Sequence, residues 1–131
     1  MLSEPIWLSV RDIIDTNLDE VSETNEPHFL RDHALLESAI DRAANTWHYG
    51  GLDIFSCAAS LISGLAQNHP FEQGNKRTAL TAGMWFLAIN GFTWTGDTGQ
   101  EVAQVVLDHI EHKIDESELA DYLRRGCGLP F

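Results

Sequence analysis

The sequence predicts an all-α protein, one compact helical bundle formed by residues 1–131. Three observations carry that expectation. Apolar residues recur three and four positions apart in successive segments, which gives each segment one buried helical face. Asp53 and Asp115 stand where a helix start needs an acceptor for its free N–H groups. The body of the segment leading to Ile89 is apolar on almost every side, as befits a helix in the middle of a bundle.

The elements follow in order. A short helix is expected over residues 8 to about 17, where Val10, Ile13, Ile14 and Leu18 form an amphipathic pattern. Residues 19–27 are acidic, have no apolar period and read as a loop. Residues 29–44 place Leu35, Leu36, Ala39, Ile40 and Ala43 at helical spacing. Residues 45–52, with Trp47, Tyr49 and the Gly50-Gly51 pair, read as a flexible aromatic connection. Asp53 then caps a helix striped by Ile54, Cys57, Ala58, Leu61, Ile62 and Leu65, which ends near Asn68. His69-Pro70 forces an extended exit. The next helix is expected from around Asn75 to Asn90, with Gly91 as its C-cap. Phe92-Thr93-Trp94 reads as a short strand or a packed loop, so β structure is limited to a small hairpin at most. Residues 100–112 carry Val102, Val105, Val106 and Ile110, again helical. Asp115 followed by Glu118 resembles a capping box for a last helix through Arg125.

Composition narrows the function. At 131 residues and 44% apolar content, the chain can bury roughly two-thirds of its unfolded surface as one domain. A net charge of −12 argues against direct nucleic-acid binding and against docking on an anionic membrane. No apolar run reaches membrane-spanning length and no leader pattern opens the chain, so a cytoplasmic location is expected. Cys57 and Cys127 suggest no disulfide framework, and Cys57 falls on an apolar stripe as a small core residue.

One stretch stands apart: His69-Pro70-Phe71-Glu72-Gln73-Gly74-Asn75-Lys76-Arg77. It links a helix end to a helix start, where free N–H groups and the macrodipole favour an anion. Lys76 and Arg77 are the only two Lys or Arg residues between Arg42 and Lys113, in a chain with 8 such cations against 20 Asp and Glu. Their convergence on one helix start points to phosphate. A histidine six residues before Asn75 adds a group able to take a proton. An ordinary turn with an exposed first helical turn explains the same residues without function.

His-Pro-Phe-x-x-Gly-Asn-Lys-Arg-Thr-Ala-Leu resembles the signature of the Fic/Doc superfamily, specifically its Doc (death-on-curing) branch. Leu35-Leu36-Glu37-Ser38-Ala39, the segment from Asp53 to Asn68, and Phe86-Leu87-Ala88-Ile89-Asn90-Gly91-Phe92 extend the resemblance to most of the chain. The resemblance implies a Fic fold with His69 as general base toward a target hydroxyl. It also implies that Phe71, Gly74, Asn75, Lys76 and Arg77 hold the nucleotide and its phosphates. Members that transfer AMP usually carry glycine where this chain has Lys76 and a second arginine where it has Leu80. The resemblance therefore implies first a Doc-like kinase, a toxin that transfers the γ-phosphate of ATP to a protein such as a translation elongation factor. AMP transfer is the second alternative.

Gln73 departs from the family's Asp or Glu, which ligates the Mg²⁺ of the nucleotide, so a catalytically impaired binding protein is a third alternative. Self-inhibited members carry a Ser/Thr-x-x-x-Glu helix. Ser22 and Glu26 match its spacing, but Pro27 follows in a segment without helical pattern, so the match reads as chance. Inhibition is then expected from a separate cognate antitoxin. His109 and His112, one turn apart, read as part of an exposed polar face rather than a metal site. The aromatics at Trp47-His48-Tyr49 fall where the family carries a flap for its target, and core or lid packing explains them equally well.

Overall fold

The computed structural model describes residues 3–51 and 53–129. It is all-α. Among the described residues six helices follow one another: α1 (Val10–Glu23), α2 (His33–Tyr49), α3 (Ile54–Asn68), α4 (Asn75–Ile89), α5 (Gln100–Ile110) and α6 (Glu116–Gly126). Among the described residues the β structure is one isolated antiparallel bridge, Leu30 with Phe71.

α3 is the centre of the bundle and packs on α2, α4, α5 and α6. Eleven of its residues are buried, against seven in α4, so the most enclosed helix is not the one expected from apolar content. α4 keeps an open side on which Trp85 is 38% exposed. Apolarity on every face therefore overstated how deeply α4 sits.

Caps explain the helix starts, accurately read for α3 and α6, whereas α2 begins at His33 rather than at residue 29. The side chains of Asp32, Asp53 and Asp115 accept from the first-turn N–H groups of α2, α3 and α6, and Asp115 with Glu118 completes a capping box. α1 overran its expected end. It continues through Glu23 because Ile13, Asn17 and Val21, four residues apart, form its fully buried edge. A polar residue in that edge hid the period, while Leu18 is exposed. α2 likewise runs on to Tyr49, with Trp47 buried against the core and Tyr49 in solvent. Residues 45–49 are thus helix rather than a flexible connection. Leu52, the end of that expected connection, lies outside the described residues.

Close approach of α3 and α4 depends on Gly83. A Cβ there would lie 2.5 Å from the side chain of Ile62, which is fully buried. Gly83→Ala is expected to destabilise the protein by about 1–3 kcal/mol, the usual cost of overpacking, less part of the helix-propensity gain of Ala. Urea denaturation monitored by circular dichroism checks this; an unchanged midpoint would show that the helices can part.

Candidate active site

His69 ends α3 in the left-handed conformation (φ 49, ψ 54), and Gly74 opens α4 in the same region (φ 76, ψ 17). Two reversals five residues apart bring a helix end and a helix start to one side of a short loop. The α1–α2 connection stitches that loop down. Backbone N–H groups of Arg31 and Asp32 donate to Pro70 O at 2.8 and 3.0 Å, and Glu72 N–H donates to Phe29 O at 3.0 Å. The Arg31 guanidinium donates to the backbone oxygen of His69.

Phe71 anchors the loop from within, its ring only 1% exposed. Asn75 brackets its backbone: the amide Nδ2 donates to Phe71 O at 2.8 Å and Oδ1 accepts from Phe71 N–H at 3.0 Å. The same Nδ2 lies 3.5 Å from His69 Nδ1. Phe71 and Asn75 are thus buried supports, and their side chains are committed to the loop itself.

α1 holds the other end. Asn17, fully buried, donates through Nδ2 to Gln73 O at 2.8 Å and to Thr78 Oγ1 at 3.0 Å. Its Oδ1 lies 2.8 Å from His28 Nδ1, which fixes the proton of that ring on Nδ1. A Cβ at Gly74 would lie 2.9 Å from Val21 Cγ1 and 3.3 Å from Asn17 Nδ2. Both its positive φ and its crowding therefore call for glycine there.

A shallow pocket of about 290 Å³ opens at the loop, lined by His69, Glu26 and residues 73–77. His69, Gln73 and Lys76 are exposed and Arg77 is half-buried. No side chain caps α4, so its first-turn N–H groups remain available to an anion. Lys76 makes no hydrogen bond or ion pair among the described residues. Arg11, Arg31, Arg42, Arg77, Lys113 and Arg124 each have a partner, and Arg125 is engaged as well. In a chain of net charge −12, an unpaired cation beside an uncapped helix start is a place for a negative ligand.

The expected loop over residues 19–27 is corrected in part, since residues 19–23 are helix and Glu26 lies past its end. Ser22 lies in the last helical turn of α1, and the Glu26 carboxylate reaches Arg77 in an ion pair inside this pocket. Glu26 also accepts from the Thr24 hydroxyl, and Arg77 donates to Thr24 Oγ1 at 3.1 Å and to Glu20 O at 3.3 Å. The Thr24 hydrogen bond, then Arg77, hold the Glu26 carboxyl below its ordinary range. Its ionised form is favoured in the folded state, so the pair contributes fully above the ordinary carboxylate range and is lost on acidification through the lowered value.

His109 is the second correction. It is 5% exposed, with Nε2 2.9 Å from Ser63 Oγ and Nδ1 3.2 Å from Ile114 O, a satisfied core histidine rather than part of an exposed face. Among the described residues no three His, Cys, Asp or Glu side chains gather closely enough to share a metal ion. The same residues hold no helix long and apolar enough to cross a membrane.

The Fic/DOC family model matches residues 7–87. The chain belongs to the Fic/DOC family. It is 35% identical over 85 residues to the protein named Toxin Doc of Mycolicibacterium smegmatis, covering 62% of this chain and 64% of that relative. It is 34% identical over 76 residues to the protein named Protein kinase doc of Escherichia phage P1, covering 58% of this chain and 59% of the relative. The aligned part is thus less than two thirds of either relative.

Four site residues escaped the motif: Asn17, Glu26, His28 and Arg31. Asn17 left a trace, a polar side chain at four-residue spacing between Ile13 and Val21, and Glu26 another, its spacing from Ser22.

Proposed function

We propose that this Fic/DOC protein is a Doc-like toxin that moves the γ-phosphate of ATP to a hydroxyl of a protein target. The observation that carries the reading is one pocket holding an exposed histidine, an unpaired lysine and an uncapped helix start. His69 takes the proton of the target hydroxyl, whose oxygen attacks the γ-phosphorus. The bond from that phosphorus to the bridging oxygen breaks and ADP leaves. Lys76, Arg77 and the N–H groups of α4 hold the oxygens on which charge accumulates.

Position 80 favours phosphate over AMP transfer. Leu80 packs against the core instead of offering a second guanidinium to the nucleotide, and Lys76 adds charge where the AMP-transferring members leave room. Gln73 favours a second reading, a Fic-fold protein that binds nucleotide without turning it over. The kinase name of one relative and the toxin name of the other support the first. Its partners are then a protein target of the translation-factor class and a cognate antitoxin.

Expression without an antitoxin is expected to slow growth, and His69→Ala to relieve the effect at equal protein level. Growth curves with immunoblots check this. A harmless wild type, or an equally toxic variant, would favour the second reading.

A further inference from the structure

The pocket supplies the cations for a polyphosphate but not the ligands for a divalent metal. Position 73 carries an exposed amide, which brings no charge to a hard cation that prefers carboxylates. Glu72 does not line the pocket, and its N–H is tied to Phe29 O at 3.0 Å. Glu26 is the one carboxylate in the lining, and Arg77 and Thr24 already hold it. A nucleotide-bound Mg²⁺ needs one or two free protein carboxylates beside the phosphates, and among the described residues the lining offers an amide and an acid already paired, so the donor set does not fit Mg²⁺.

Lys76 offers the alternative. It follows Asn75 in the uncapped first turn of α4, lines the same pocket as Gln73, and has no partner among the described residues. An ammonium on a flexible stem is a compact point charge with three donors. It can sit between phosphate oxygens and neutralise them without a fixed coordination geometry.

We propose that this site binds polyphosphate without a divalent cation, and that the Lys76 ammonium neutralises the phosphates in its place. The inference deepens the transferase reading but is tested apart from it. The sign of the magnesium effect separates the two kinds of site. Chelation by Mg²⁺ lowers the charge of a polyphosphate and weakens its attraction to Lys76 and Arg77, whereas a site built around the metal binds the chelate more tightly. Long-range repulsion from the acidic chain acts against the free anion, but physiological salt screens it within about 8 Å.

Isothermal titration with inorganic tripolyphosphate, and then with ATP, in EDTA and in excess Mg²⁺ reads this directly. Binding in EDTA is expected to be at least as tight as in magnesium. Lys76→Gln, an exposed change that leaves the fold intact, is expected to weaken binding in EDTA by about tenfold or more, the loss of one charge-assisted phosphate contact. Gln73→Asp is expected to reverse the sign, so that Mg²⁺ now tightens binding. Three results overturn the proposal: no tripolyphosphate binding in EDTA, wild-type binding tightened about threefold or more by Mg²⁺, or Lys76→Gln binding as wild type. A protein that binds tripolyphosphate in EDTA but transfers no label keeps the inference and loses the transferase. One that transfers label only through a magnesium-tightened complex does the reverse.

Discussion

Replacing His69 by Ala is expected to lower phosphate transfer by about 10²–10⁴-fold, the usual contribution of a general base. Nucleotide binding should change little, because the cations and the helix start lie on α4 while the imidazole closes α3. The fold should also survive. His69 is exposed, the Arg31 contact to its backbone oxygen does not involve the ring, and Asn75, 3.5 Å from Nδ1, keeps its two bonds to the Phe71 backbone. Single-turnover transfer and equilibrium ATP binding on the same preparations separate the two effects. A variant that transfers at the wild-type rate would remove His69 from the chemistry. One that loses binding and transfer together would make it a structural residue.

Phe71→Ala is expected to cost about 3–5 kcal/mol, a large share of the roughly 5–15 kcal/mol that holds a domain of this kind. The ring is buried and packs in the core with α3 and α4, and His28 lies beside it at 6.2 Å between ring centroids. Its backbone also carries the bracket from Asn75 and the bridge to Leu30. Thermal unfolding of the variant should fall accordingly, and the phosphate site should weaken with it. A loss below about 1 kcal/mol would mean the loop does not depend on its buried ring.

The parts of the fold written in contiguous residues were legible. Asp53 and Asp115 announce α3 and α6 through their own side chains, and Cys57, Ala58, Leu61, Ile62 and Leu65 of the expected stripe are buried in the central helix, which buries six further residues beside them. The end of α1 was not legible, because Asn17 belongs to the buried edge for its hydrogen bonds and not for its polarity. The site divides in the same way. His69, Gly74, Lys76 and Arg77 occupy one short run and could be read together. The residues that set their geometry come from far along the chain: Arg31 lies 38 positions from His69, Glu26 lies 51 from Arg77, and Asn17 lies 56 from Gln73. Periodicity and local spacing carry no trace of such pairings. Only the packing of α1 against α4 and the path of the α1–α2 connection bring them in.

The transferase reading rests on a γ-phosphate leaving ATP for a protein hydroxyl. The direct measurement is incubation of purified protein with cell lysate and ATP labelled separately at the α and γ phosphates, with His69→Ala alongside. The expected result is γ label on an acceptor protein, no α label, and neither with the variant. Appearance of the α label would put AMP transfer in its place, and no transfer of either label by protein that binds ATP would contradict the enzyme.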